Sequence, residues 1–124
     1  MRVYISRLIQ TLRKEDLEDY RVGAFLGPRQ CGKSTLVKEI GETLPNFLYL
    51  DLENTSDLVK LTEPELFFDS YTDYTICLDE VQRVPEIFNT LRSYVDKHRR
   101  KGQFILLGSA SPELLRQSSE SLAG

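Results

Sequence analysis

With two cysteines and one histidine in 124 residues, the chain has neither the thiol density of a disulfide scaffold nor the donors of a zinc site. Cys31 and Cys77 fall in different predicted elements and lack metal-ligand spacing, so both read as reduced thiols of a cytoplasmic protein. Apolar runs are short. None approaches the roughly 20 residues that span a bilayer, and Met1 to Arg7 lack the apolar core of a signal peptide, which excludes a membrane protein from this reading. Charge of one sign is also scarce. A formal net charge of -3 excludes a protein that coats nucleic acid by bulk electrostatics. The local exception is Lys97, His98, Arg99, Arg100 and Lys101, at the end of a predicted helix, where basic residues suit the negative helix terminus. It reads as a solvated run, with nucleic-acid contact as the alternative. No repeat or low-complexity linker divides the chain. Its 40% hydrophobic content is enough for one core and too little chain for two, so residues 1–124 form one domain.

Periodicity orders the elements. Ile5, Leu8, Ile9 and Leu12 stand at helical spacing, which predicts a leading helix from about Val3 to Leu17. Tyr20 to Leu26 is a short apolar strand running into a glycine-rich turn, followed by a helix from Lys33 to about Glu42 with Leu36, Val37 and Ile40 inward. A second strand covers Phe47 to Leu52. The polar stretch from Glu53 to Ser70 holds a short helix near Pro64 to Phe68, and Tyr74 to Leu78 is a third strand. After Pro85, the positions of Ile87, Phe88, Leu91, Tyr94 and Val95 mark an amphipathic helix, and Phe104 to Leu107 a fourth, buried strand. Strands alternating with helices predict an α/β fold of three layers, a parallel sheet flanked by helices. The chain stops at Ser121-Leu122-Ala123-Gly124 without a closing element, so the fold is expected to be incomplete at its carboxyl end.

Gly27-Pro28-Arg29-Gln30-Cys31-Gly32-Lys33-Ser34 matches the G-x-x-x-x-G-K-[ST] phosphate loop at every fixed position, with the required strand before it and helix after it. The glycines let the backbone curl so that successive N–H groups face one concavity, and the following helix terminus also favours an anion there. The loop and the adjoining Thr35 are thus candidates for binding the phosphates of ATP. Lys33 supplies a point charge for the β- and γ-phosphates, and the Ser34 hydroxyl is placed to ligate magnesium. Arg29 and Cys31 occupy variable positions and read as a solvated charge and a small filler.

The third predicted strand delivers Asp79 and Glu80 at its carboxyl end, the edge where open α/β sheets bind ligands. Alone, two acids after a strand would read as a loop start or helix cap. Together with the phosphate loop they read as a Walker B motif, with Asp79 holding Mg2+ through its water shell and Glu80 orienting or deprotonating the attacking water. Gly108-Ser109-Ala110-Ser111 ends the fourth strand. Ser109 is the candidate sensor of the γ-phosphate, while Ser111, directly before Pro112, is the better helix cap.

With these motifs the chain resembles the AAA+ superfamily, especially the prokaryotic ATPases with a Gly-Pro-Arg-Gln-x-Gly-Lys loop. The likeness runs through Gly27 to Leu36, Leu78-Asp79-Glu80-Val81-Gln82-Arg83-Val84-Pro85, Phe104 to Ser111, and Ser121 to Gly124. The resemblance implies an ATPase with magnesium, in which Lys33, Asp79, Glu80 and Ser109 take the Walker A, Walker B and first-sensor roles. It also implies that a further strand, a lid and a carboxy-terminal domain lie beyond Gly124, together with any arginine finger and second sensor. Turnover then calls on that region or on a protein partner, self-association included. Two functions follow: an ATP hydrolase whose cycle drives a conformational change, or a nucleotide-binding switch without appreciable turnover. A small-molecule kinase would need a phosphoacceptor pocket and lid that the sequence does not signal, and GTP specificity would need an Asn-Lys-x-Asp-like base reader that is absent.

Overall fold

The computed structural model describes residues 3–6, 22–27, 33–98 and 103–109. Five strands make one sheet: β1 (Val3–Ser6), β2 (Val22–Gly27), β3 (Phe47–Asp51), β4 (Thr75–Asp79) and β5 (Phe104–Ser109). Their spatial order is β1-β2-β5-β4-β3, and all four pairings are parallel. Helices α1 (Lys33–Gly41), α2 (Thr55–Val59), α3 (Pro64–Asp69) and α4 (Ile87–Lys97) lie between them, with a 3-10 turn at Val81–Arg83. Parallel neighbours cannot be joined by a tight turn, which is why the connections from β2 to β5 carry helices.

The pleat of the central strands explains the layers. Ile76 and Leu78 of β4, with Phe104 and Leu106 of β5, face one core together with Phe68 of α3 and Ile87, Phe88, Leu91, Tyr94 and Val95 of α4. Cys77, Ile105 and Leu107 point the opposite way and pack against Val37 of α1, with Ile40 alongside. Helices on both faces leave β4 buried at every residue, as its unbroken apolar run requires. The chain moves outward from β2 to β3 through α1 and back from β4 to β5 through α4. Right-handed crossovers running in opposite directions place those two helices on opposite faces. At the last residue of α1, a side-chain carbon on Gly41 would collide with the Phe47 ring, so glycine lets the chain turn closely into β3.

Two expectations need correction. Val3–Ser6 is a strand paired with β2, in register Val3 to Val22 through Ser6 to Phe25, and not the start of a helix. Ile5 and Leu8 do stand at helical spacing, but four residues rich in β-branched and aromatic side chains gain more by completing a ladder against β2. The rest of that expected helix lies outside the described residues. The second correction is α2, which the polar composition of 53–70 concealed. Asn54 caps it, its side chain accepting from the Ser56 N–H at 2.9 Å, a start signal written in Asn54-Thr55-Ser56. The other elements fall within two residues of their expected bounds.

Helix α2 is tied to the sheet through Asp57, whose Oδ2 accepts the Asp51 N–H at 3.0 Å and whose Oδ1 accepts from Lys60 at 3.1 Å. Burial pushes this carboxyl up, but the Asp51 N–H and Lys60 outweigh it and leave it below its ordinary value of 3.8. A lowered carboxyl pKa stabilises fully above the unfolded value and loses that contribution as pH falls through the folded one. Asp57→Asn should therefore lower the urea midpoint at neutral pH and leave it unchanged in acid below both values. In the larger core, Phe68 is fully buried, with rings of Tyr94 and Phe104 edge-on at 5.4 and 4.9 Å. Phe68→Ala should cost about 3–5 kcal/mol in urea unfolding.

Candidate functional site

The strand order decides what meets at the carboxyl edge. Inserting β5 between β2 and β4 brings the ends of four strands side by side: Gly27, Ser109, Asp79 and Asp51. Gly27 pairs with Ser109, and Asp79 with Asp51. Leu78 is level with Leu106, so Ser109 ends β5 two residues beyond the level of Asp79. Ser109 thus stands between Gly27 and the strand that ends in the two acids.

That segment has the expected frame. Gly27 closes β2, and Lys33 and Ser34 open α1, with Thr35 exposed behind them. Pro28, Arg29, Gln30, Cys31 and Gly32 lie outside the described residues, as do Ser111 and Arg99 to Lys101. Lys97 ends α4, and His98 stacks on the Tyr94 ring at 4.3 Å with its Nε2 3.8 Å from Asp69. The histidine therefore belongs to the packing at the far end of α4, away from the carboxyl edge.

The acids are closely held. Asp79 is only 4% exposed, and a buried carboxylate must find donors. Its Oδ1 accepts the Glu80 N–H at 2.9 Å, and its Oδ2 accepts the Tyr49 hydroxyl. The pleat explains the second bond: Tyr49 pairs with Cys77, which makes Asp79 its diagonal neighbour on the same face, within reach of a long aromatic side chain. Asp51 stands opposite Asp79 on that face. Burial raises the Asp51 carboxyl pKa, the negative charges of Asp79 and Asp57 raise it further, and Lys38 and Arg83 pull it down. Around Asp51, burial and the two carboxylates therefore outweigh Lys38 and Arg83.

Glu80 is held differently. It has φ 59° and ψ 45°, making it the positive-φ non-glycine residue of the described backbone, and it is 9% exposed. Gln82 Nε2 donates to its Oε2 at 2.6 Å, and Gln82 Oε1 is buried with no partner among the described residues. The left-handed step ends β4 abruptly and starts the 3-10 turn. Strained backbone of this kind collects at functional sites. Cys77, two residues before Asp79 on the same face, is fully buried; burial and then Asp79 raise its thiol well above the ordinary range, so it is packing rather than a nucleophile.

Tyr49, Asp51 and Gln82 are the residues of this site that sequence reasoning missed. Gln82 stood inside the quoted motif without a role. Tyr49 and Asp51 are visible only once β3 is known to pair with β4 in this register.

A protein-family model described as an AAA domain matches residues 19–124. The chain belongs to that AAA family. Membership points to nucleotide binding and to ATPase chemistry. Two curated relatives, uncharacterised proteins of Mycobacterium bovis and Mycobacterium tuberculosis, are each 43% identical over 98 residues, 79% of this chain. The chain spans 22% of the length of each. No solved structure matches it. No helix among the described residues is long and apolar enough to cross a membrane.

The left-handed residue supplies a test of where stability has been given up at this edge of the AAA domain. Glu80→Gly removes a side chain that disfavours this backbone region by about 1 kcal/mol. The urea midpoint should rise by a corresponding amount. A lower midpoint would show that the bond to Gln82 outweighs the strain.

Proposed function

We propose that this AAA domain binds Mg-ATP at the carboxyl edge of its sheet and hydrolyses it to ADP and phosphate, the cycle driving a conformational change in a partner or in the remainder of a longer protein. One observation carries the reading. Strand β5 lies between β2 and β4, so the phosphate-loop frame, Ser109 and the Asp79-Glu80 pair share one edge in the order that a γ-phosphate would need.

In this reading residues 27–34, with Thr35, cradle the phosphates through backbone N–H groups, and Lys33 adds its charge. The Ser34 hydroxyl and the Asp79 carboxylate are hard oxygen donors suited to Mg2+, which keeps much of its water and takes few protein ligands. The crowded Asp51 and Asp79 carboxylates fit such a cation, since a divalent charge would offset their repulsion. Bound magnesium would neutralise charge developing on the phosphates. Glu80, at the left-handed step after β4, orients a water and accepts its proton. Ser109 hydrogen-bonds the γ-phosphate or that water. The domain is placed in the cytoplasm, with ATP as its ligand.

The test is fluorescent-ATP binding and phosphate release by the chain, each with and without Mg2+. Lys33→Ala should weaken binding by about tenfold or more, because a charge-assisted contact is lost. Glu80→Gln should keep binding and lower turnover by about 10²- to 10⁴-fold. Unchanged binding by the Lys33 variant would overturn the phosphate-loop assignment. Binding by the unaltered chain without turnover would leave a nucleotide switch that a partner or further chain completes.

A further inference from the structure

We infer that Tyr49 is a positioning residue for the metal: it fixes the Asp79 carboxylate from the neighbouring strand and links that carboxylate to the helix behind the phosphate loop. The inference rests on the Mg-ATP reading above and adds to it a residue outside both nucleotide motifs.

Three observations meet at this side chain. The Tyr49 hydroxyl donates to Asp79 Oδ2 while the Glu80 N–H donates to Oδ1, so both oxygens of the carboxylate are held. A carboxylate oxygen has more than one acceptor direction, so accepting from Tyr49 does not by itself bar Oδ2 from a metal or its water shell. The strand register makes this bond a consequence of the fold, because Tyr49 opposite Cys77 has Asp79 as its diagonal neighbour. The ring itself is half-buried against the smaller core, with Lys38 of α1 reaching over it, Nζ 4.4 Å from the ring centre.

Lys38 lies five positions after Lys33 on the same helix. A cation over the ring face is attracted by the aromatic quadrupole, which ties the orientation of the ring to α1. The line Lys38, Tyr49, Asp79 therefore runs from the helix that starts at the phosphate loop to the strand that presents the metal carboxylate. It holds the Asp79 plane without using any group that would touch the nucleotide. Partners that orient a metal-binding carboxylate in this way commonly change metal affinity by about 10- to 100-fold when removed.

Tyr49→Phe is the decisive variant, since it deletes one oxygen and keeps the ring that Lys38 covers. Mn2+ is the probe, titrated by electron paramagnetic resonance in the presence of a non-hydrolysable ATP analogue. Binding of the same analogue in EDTA is measured in parallel. The Mn2+ concentration at half-saturation should rise about tenfold, and metal-free nucleotide affinity should stay unchanged. A rise of threefold or more with unchanged metal-free binding supports the assignment. A smaller rise overturns it, as does a parallel loss of metal-free nucleotide binding, which would make Tyr49 merely structural. Failure of the unaltered chain to bind the analogue in either condition would instead overturn the nucleotide reading beneath it.

Discussion

Strand β5 is the member on which the rest of the arrangement depends. It pairs with β2 on one side and β4 on the other, and Gln103 through Gly108 are buried. Its side chains serve both cores in alternation, Phe104 and Leu106 toward α4 and Ile105 and Leu107 toward α1. A slip of one residue would exchange these sets and bring Phe104 into the space shaped for smaller side chains. Burial on two faces therefore fixes the register, and the register fixes the positions of Ser109, Gly27 and Asp79 at the edge. The hydrophobic effect acts here as the ruler for a polar site it does not touch.

The same logic separates what could be read in the sequence from what could not. Strands β2, β4 and β5 were legible because apolar runs bounded by turn residues are local signals, and the glycine-rich motif needs only its own context. The outer strand β1 was not, since its four residues carry too short a pattern to override the helical spacing of Ile5, Leu8 and Leu12. Its pairing partner, not its composition, makes it a strand. Tyr49 and Asp51 escaped for a related reason. They lie about 30 residues from Asp79 in the chain and become its neighbours only through the β3–β4 register, which periodicity within either segment does not encode.

Charge and backbone strain then gather where that packing ends. Asp51 and Asp79 face each other, Glu80 follows in a left-handed conformation, and Asp57 stands behind Asp51. A fold selected for stability alone would place neither two carboxylates in register nor a long side chain at positive φ. Both cost free energy, and the compensations among the described residues include Tyr49 and the Glu80 N–H for Asp79, Gln82 for Glu80, and the Glu53 N–H, Lys38 and Arg83 for Asp51. Apolar burial in the two cores carries the deficit.

Those compensations are unequal in kind, and the inequality is informative. Asp79 is held by a backbone N–H and by a tyrosine whose ring is itself packed, so its orientation is set by the sheet. Glu80 accepts from a side-chain amide two residues away, at the start of a turn of three residues. A carboxylate fixed by the scaffold suits a group that must keep one geometry toward a cation. A carboxylate that follows the strand and accepts from a neighbouring side chain suits a group that binds water and moves a proton. In the Mg-ATP reading proposed above the two adjacent acids take these two tasks, and their supports already differ in kind.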